Sequence, residues 1–242
     1  MLTQDQKNFF RENGYLAVED LFSPEHISRL VRRTEEICAN WQNEVQRLQI
    51  GHEPGTEEMH SSETIRKMSY LAGAEKIFQE HASHPGFTAL VADLIGRPVD
   101  LYLDQMQLKP PRCGTEKPPH QDNAYFRISP PDAVITCWTA LDDATEENGC
   151  MHYFPGSHLR GLVSHEAIPD TPHLVPPNLD LNQSVGVPMR AGGCAFHHSQ
   201  TLHHSYSNQS DRWRRAYICH FVQRDADISK GSQSKPMMPV LD

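Results

Sequence analysis

A histidine and an aspartate stand two positions apart in the segment PPHQDNAYF, as His120 and Asp122. Successive side chains of a β-strand point to opposite faces, so residues two apart project from the same face. In a strand, this spacing would put an imidazole beside a carboxylate, as a metal site requires. Such a pair often arises by chance, so a third ligand from elsewhere in the chain is needed to define a site.

The segment FHHSQTLHHSYSNQSDRWRRAYICHF, residues 196–221, offers candidates for that third ligand. Two histidines and one carboxylate on one octahedral face form the facial triad of non-haem Fe(II) oxygenases, which leaves three positions open. Those that use 2-oxoglutarate need a cation for its distal carboxylate. Arginine suits this role because its planar fork binds a carboxylate through two hydrogen bonds. Arg214 and Arg215 follow the histidines, where such a cation is expected.

The first hundred residues are predicted to be mainly helical, with short strands. QDQKNFFREN predicts a helix that ends at Gly14, and Ser23-Pro24 marks the start of a second helix. YLAVEDLF predicts a short strand, and HPGFTALVADLIG predicts a further amphipathic helix. The polar segment from Gly51 to Thr64 is interpreted as a loop.

From Val99 onward, short strand-like segments alternate with turns rich in Pro, Gly, Asp and Asn. This pattern is typical of a β-sandwich or barrel. The predicted strands are VDLYLDQMQLK, HQDNAYF, AVITCWTAL, MHYFP, GVPMR, GCAFHHS, TLHHSY and RRAYICHFV. The segment from Leu162 to Gln183 is long, rich in proline and without periodicity. Because long irregular loops in compact domains are often functional, we predict that this segment is a lid.

Length and composition restrict the class of protein. A chain of 242 residues can bury one sizeable core, and we expect one domain over residues 1–242. A net charge of -9 argues against nucleic-acid binding, which favours a basic surface.

The six cysteines include no CxxC pair, which indicates free thiols in a reducing compartment. Neither a signal segment nor a run of roughly 20 apolar residues occurs, so we expect a cytoplasmic protein without membrane contact. The oligomeric state is not predicted.

Several motifs together resemble the phytanoyl-CoA dioxygenase family of Fe(II)- and 2-oxoglutarate-dependent oxygenases. They keep the family's order along most of the chain: FRENGYLAVEDLFSPEHI, HQD, CWTALDDATEENGC, PGSH and HHSYSNQSDRWRRAYICHF. The resemblance implies a mainly β fold, a double-stranded β-helix (jelly roll) with flanking helices. The β-helix core would occupy about residues 99–225. A helical scaffold with edge strands would occupy about residues 1–98.

The resemblance also implies a set of site residues. His120, Asp122 and His203 correspond to the iron ligands, and His203 is chosen because the family pattern is His, any residue, Ser, any two residues, Asn. Arg214 corresponds to the anchor of 2-oxoglutarate, with Ser205 hydrogen-bonding the same carboxylate. Strand alternation puts Arg215 on the opposite face from Arg214. Further residues implied for the co-substrate region are Lys67, Trp138, Gln105 and Gln107.

The reaction implied by the resemblance is hydroxylation of a small organic substrate with O2, while 2-oxoglutarate is converted to succinate and CO2. Asp122 favours hydroxylation over halogenation, because related halogenases lack this carboxylate. Desaturation, epimerisation and ring formation remain open, since they use the same iron site. Arg127 and Arg160 are candidate contacts for an anionic substrate. Two other classes also remain open: a cupin-like metal protein without redox chemistry, and a non-catalytic 2-oxoglutarate-binding protein.

Overall fold

The computed structural model describes residues 1–56, 60–169, 171, 173–231, 236 and 238–242. Most of its helices belong to the first hundred residues of the chain. The helices are α1 (Gln4–Asn13), α2 (Pro24–Ala39), α3 (Trp41–Glu44), α4 (Leu71–Ala74), α5 (Lys76–Ala82), α6 (Pro85–Ile95) and α7 (Asn123–Phe126). No helix in these ranges is both long and apolar enough to cross a membrane.

Both ends of α1 and the start of α2 lie where the sequence predicts. The hydroxyl of Ser23 accepts the backbone N–H of His26, and Pro24 occupies the first helical position of α2. Gly14 ends α1 in the left-handed conformation, at a φ of 79°. A Cβ at position 14 would also clash with Nδ1 of His158. This glycine is therefore required both by backbone conformation and by close packing.

The strands are distributed along the whole chain. They are β1 (Tyr15–Val18), β2 (Gly51–His52), β3 (Ile65–Ser69), β4 (Val99–Lys109), β5 (Lys117–His120), β6 (Val134–Ala140), β7 (Met151–Tyr153), β8 (Glu166–Ala167), β9 (Leu174–Val175), β10 (Val185–Val187), β11 (Cys194–His198), β12 (His203–Ser205), β13 (Arg214–Gln223) and β14 (Met238–Leu241).

Two antiparallel sheets form the body of the fold. The larger has the order β1-β11-β6-β13-β4-β3-β2, with β14 also paired to β4, and the smaller has the order β10-β7-β12-β5. Strands that are adjacent in space are mostly distant in sequence, as in a jelly roll. The predicted double-stranded β-helix is confirmed. Three strands from the first 98 residues join the larger sheet.

Alternation along β13 separates the two faces of the larger sheet. Tyr217, Cys219 and Phe221 belong to the apolar core that includes residues of α2, α5 and α6. Ile218 and His220 line a cavity on the other face. Phe78 and Phe87 of the helices are fully buried within that core, and burial of each phenylalanine contributes about 1.5–3 kcal/mol. The helices thus stabilise one face of the sheet and leave the other for the site.

Two local predictions are wrong, and a third segment is more regular than its sequence suggested. HQDNAYF is not one strand, because β5 ends at His120 and a helical turn, α7, begins at Asn123. The segment from Gly51 to Thr64 includes β2 and a 3-10 turn, and residues 57–59 lie outside the described part. The predicted lid contains the hairpin β8–β9, and residues 170 and 172 within it lie outside the described part.

Candidate metal centre

Three ligand atoms converge between the two sheets. One atom from each of His120, Asp122 and His203 lies within 4.8 Å of the other two. Oδ1 of Asp122 is 3.5 Å from Nε2 of His120 and 3.7 Å from Nε2 of His203. All three side chains are buried. Two imidazoles and one carboxylate at these separations could hold one divalent metal ion.

The smaller sheet and the turn after it position these ligands. His203 of β12 pairs directly with His120 of β5, so the two imidazoles stand side by side, with ring centroids 4.2 Å apart. Asp122 lies beyond the end of β5 and has helical backbone angles, φ -58° and ψ -37°. The carboxylate therefore reaches the histidines by a turn of the chain, and not by strand alternation as the sequence suggested.

Each ligand histidine directs Nε2 towards the centre. Nδ1 of His120 lies 2.8 Å from the carbonyl of Pro118, and Nδ1 of His203 lies 2.9 Å from the carbonyl of Thr201. Since a carbonyl only accepts, each Nδ1 carries the proton and each Nε2 keeps its lone pair. Burial lowers the pKa of both imidazoles. Both are thus held neutral, the form that binds a metal.

The other oxygen of Asp122 is held by two donors. Oδ2 accepts the hydroxyl of Thr136 at 2.5 Å and Nε2–H of His197 at 3.1 Å. Nδ1 of His197 in turn lies 3.1 Å from the hydroxyl of Tyr153. Burial by itself would raise the pKa of Asp122, but His203, followed by His120 and His197, brings that pKa well below its usual value. The carboxylate is therefore ionised and fixed in orientation.

Arg214 extends into the same cavity from β13. Its guanidinium lies 5.5 Å from the ring of Trp138, and its buried Nε and Nη1 atoms have no hydrogen-bond partner among the described residues. Burial lowers the pKa of Arg214 to about 10, so the group is still charged at neutral pH. A buried cation with unused donors fits a carboxylate. Arg215 points the other way and pairs with Asp142 at 2.8 Å.

The remaining predicted co-substrate residues also reach this cavity, whose volume is about 640 Å³. Lys67 of β3 pairs with Gln107 of β4, and Nε2 of Gln107 donates to Oε1 of Gln105 at 3.1 Å. Ser205 and Trp138 line the cavity as well. The structure thus brings together every residue that the resemblance assigned to metal and co-substrate.

Two suggested substrate contacts are not in the cavity. Arg127 and Arg160 are exposed, and neither is among its lining residues. Sequence reasoning instead missed several residues that line it, among them Arg66, Lys117 and His173. His173 belongs to the segment predicted to be a lid. Only the charge of Arg66 and Lys117 could have signalled them, because strand alternation puts Lys117 on the opposite face from His120.

The other histidines of residues 196–221 have separate roles. Nε2 of His198 contacts Asp132 at 2.8 Å, and Nε2 of His204 contacts the hydroxyl of Ser184 at 3.0 Å. Nδ1 of His220 contacts the hydroxyl of Thr136 at 2.9 Å. His203 is therefore the member of its pair that faces the centre, as predicted.

Comparisons with known proteins agree with this geometry. The phytanoyl-CoA dioxygenase (PhyH) family matches residues 10–216. A phytanoyl-CoA dioxygenase of Arabidopsis thaliana is 29% identical over 256 residues, which cover 93% of this chain and 90% of that protein. A probable phytanoyl-CoA dioxygenase of Caenorhabditis elegans is 27% identical over 240 residues, covering 93% of this chain and 77% of that protein.

Comparison with solved structures also identifies proteins of similar fold. The non-heme alpha ketoglutarate dependent carbocyclase SnoK from nogalamycin biosynthesis superposes with a TM-score of 0.72 at 25% identity, covering 98% of this chain and 93% of that one. EvdO2 from Micromonospora carbonacea var. aurantiaca, complexed with 2-oxoglutarate, shares the fold with a TM-score of 0.69 at 24% identity, covering 92% and 91%. The chain belongs to the phytanoyl-CoA dioxygenase family and is an oxygenase that depends on Fe(II) and 2-oxoglutarate.

Proposed function

We propose that this protein hydroxylates a small organic substrate at a C–H bond, with O2 and 2-oxoglutarate as co-substrates and succinate and CO2 as co-products. His120, Asp122 and His203 bind the iron in this proposal. The observation that carries it is the convergence of these three ligand atoms within 4.8 Å in a cavity that also contains Arg214.

The chemistry of the donors supports Fe(II) at this centre. Two neutral imidazoles and one carboxylate form a facial set that leaves positions open for other ligands. Thr136 and His197 occupy Oδ2 of Asp122, which leaves Oδ1 for the metal. When bound, the iron supplies the activation of O2 that a protein side chain cannot provide. Because Asp122 occupies one position itself, the set favours hydroxylation over halogenation.

The environment of Arg214 supports 2-oxoglutarate in the same cavity. Its unpartnered Nε and Nη1 would donate to the distal carboxylate. The ring of Trp138 lies beside the guanidinium and helps to fix its orientation. Ser205 also lines the cavity and would donate its hydroxyl to the same group. Lys67, Gln105 and Gln107 would orient the rest of the molecule. These side chains bind and orient the co-substrate, while the buried walls exclude water.

A direct experiment measures succinate. Purified protein supplied with Fe(II), 2-oxoglutarate and O2 should release succinate slowly, and faster with a suitable substrate. A substrate screen scored by succinate therefore tests the reaction before the substrate is identified. Asp122→Ala should abolish release because it removes one ligand. Failure of the wild type to release succinate with any candidate, while a folded Asp122→Ala protein behaves identically, would contradict the proposal.

The type of oxidation is tested on the product. Hydroxylation predicts that a product formed under ¹⁸O2 gains one labelled oxygen, detected by mass spectrometry. A product that lacks the label and has lost two hydrogens would indicate desaturation or ring formation, and an isomer of the substrate would indicate epimerisation. Either result would overturn hydroxylation but leave the iron site intact.

The same proposal includes one domain over residues 1–242 and a cytoplasmic location. Strands β1, β2 and β3 from the first 98 residues pair within the larger sheet, and all six cysteines are free thiols, which suits a reducing compartment. Some relatives carry the name peroxisomal. Cell fractionation tests the location, and a single protease-resistant fragment of full length would support one domain.

A further inference from the structure

The cavity is lined by cations without acidic partners. Asp122 is the acid that lines it within the described ranges, whereas the arginines and lysines that line it are Arg66, Lys67, Lys109, Lys117 and Arg214. None of these five side chains forms a salt bridge with a described carboxylate. Elsewhere in the molecule the arginines commonly pair, as Arg215 does with Asp142. Such a concentration is unexpected in a chain of net charge -9, and it creates a local positive potential.

The proposed cofactors do not neutralise this charge. Iron(II) brings two positive charges and 2-oxoglutarate brings two negative charges, so together they leave the balance unchanged. Burial, followed by Arg214, lowers the pKa of Lys109 to about 6, so this amine is mainly neutral at neutral pH. Arg214 and Lys67 are assigned to 2-oxoglutarate. Lys117 and Arg66 therefore remain as charges for another ligand.

Lys117 is the better placed of the two. Its ammonium lies 5.6 Å from the centre of the Tyr125 ring and donates to Nδ1 of His173 at 3.1 Å. The guanidinium of Arg66 instead donates to the backbone carbonyl of Glu116 at 3.3 Å, in an exposed position. Lys117 thus lies between β5 and the covering segment, residues 162–183, whose His173 lines the cavity.

An irregularity in the sheet turns Lys117 inwards. His203 pairs with His120, but Ser205, two residues on, pairs with Lys117, three residues back. The extra residue in β5 is a β-bulge, which reverses the alternation of side chains beyond it. Both His120 and Lys117 consequently line the cavity. Bulges occur preferentially next to active sites, where they redirect a side chain.

The partner of Lys117 is a weak one. Burial, followed by Lys117 itself, lowers the pKa of His173 to about 4, so His173 is neutral and only accepts. A neutral imidazole does not compensate the charge of an ammonium as an anion does. An anionic group that enters the cavity could therefore replace His173 as the acceptor, while Tyr125 supplies an adjoining aromatic wall.

We propose that Lys117 binds an anionic group, carboxylate or phosphate, of the primary substrate, and that Arg66 reinforces it. This inference rests on the proposed function, because it places the substrate beside iron and 2-oxoglutarate. The substrate would then be a small molecule whose anionic group lies at Lys117, between β5 and the covering segment.

Calorimetry with simple probes tests this inference. Protein loaded with Mn(II) and saturating 2-oxoglutarate is titrated with hexanoate, hexyl phosphate or neutral hexanamide, so that Arg214 is already occupied. At least one anion should bind about tenfold more tightly than hexanamide, since hydrogen bonds to charged groups are the strong ones. The anion that binds more tightly shows whether the substrate's anionic group is a carboxylate or a phosphate ester. Lys117→Gln should abolish the preference, and Lys117→Arg should keep it.

The controls separate this inference from the proposed function. Lys76→Gln alters an ammonium whose side chain is 86% exposed, and it should retain the preference for anions. Binding of 2-oxoglutarate should be unchanged in Lys117→Gln. Equal binding of hexanamide and the anions, no binding of either anion, or a preference that survives Lys117→Gln would overturn the inference. Failure of 2-oxoglutarate to bind the wild type with Mn(II) would instead contradict the proposed function.

Discussion

Nε2 of His197 lies 3.1 Å from Oδ2 of Asp122, so an imidazole outside the proposed ligand set fixes the carboxylate within it. His197 accepts in turn from the buried hydroxyl of Tyr153. This chain of hydrogen bonds begins in β7, passes through β11 and ends at the metal centre. The geometry of the ligands thus depends on strands that contribute no ligand.

His197→Phe should lower the affinity for metal without removing a ligand. The variant deletes the donor to Oδ2 of Asp122, and loss of such a partner commonly reduces metal affinity about 10–100-fold. Titration with Mn(II), followed by electron paramagnetic resonance, measures the change. His204→Phe is the matched control, because His204 contacts Ser184 on the other side of the sheet. Equal effects of the two substitutions would argue against a specific role for His197.

Arg214→Lys should weaken binding of 2-oxoglutarate. A lysine retains the charge but not the planar fork, so we expect a loss of about 10–100-fold, which corresponds to about 1.4–2.8 kcal/mol. Binding of Mn(II) should change little. Arg215→Lys, one residue away on the opposite face, serves as the control, and calorimetry with 2-oxoglutarate compares the two. A larger loss in Arg215→Lys would mean that the assignment of faces is wrong.

The buried carboxyl of Asp104 should make the stability of the fold depend on pH. Burial raises the pKa of this carboxyl to about 6, although Tyr217 donates to it at 2.6 Å. An acid whose pKa is raised by folding destabilises the fold increasingly as the pH rises from its pKa in the unfolded chain to its pKa in the folded protein. Above the folded-state pKa the loss of stability is constant. Here the window is about pH 4–6, and the penalty amounts to up to about 3 kcal/mol.

Asp104→Asn should therefore increase the free energy of unfolding at about pH 7.5, and the gain should shrink as the pH falls towards 4. Chemical denaturation at several pH values measures it. Asp225→Asn changes an exposed carboxyl and should show no such trend. A gain that is the same at every pH would show that Asp104 is not the source of the dependence.

Tyr125, which lines the cavity, is hydrogen-bonded to β9 of the covering segment. Its hydroxyl accepts the backbone N–H of Leu174 in β9 at 2.8 Å. Tyr125→Phe removes this bond, worth about 1 kcal/mol, so hydrogen exchange of the Leu174 amide should accelerate about fivefold. Exchange measured by mass spectrometry should leave β13 unaffected. Unchanged exchange at Leu174 would show that other contacts hold the covering segment.

Much of the site could be predicted because its residues follow regular patterns. Alternation in β12 and β13 correctly separates His203 from His204 and Arg214 from Arg215. The helix ends at Gly14 and Ser23 were also predictable, since capping depends on local residue types. These features require only the geometry of one element.

The failures arise where two elements meet. The position of Asp122 depends on a turn that ends β5, and the orientation of Lys117 depends on a bulge defined by its pairing with β12. His173 reaches the cavity only because β9, which follows it directly, packs beside β5. None of these relationships is encoded in the periodicity of a single segment, so the sequence suggested Arg127 and Arg160 in place of Lys117.

The most direct test of the central claim is an anaerobic crystal structure with Fe(II) and 2-oxoglutarate. We expect iron on Nε2 of His120, Nε2 of His203 and a carboxylate oxygen of Asp122, with the distal carboxylate of 2-oxoglutarate on Arg214. Another group of side chains offers ligand atoms of suitable spacing: Glu146, Cys150 and His152. Iron at that second group, or on His204 in place of His203, would contradict the account.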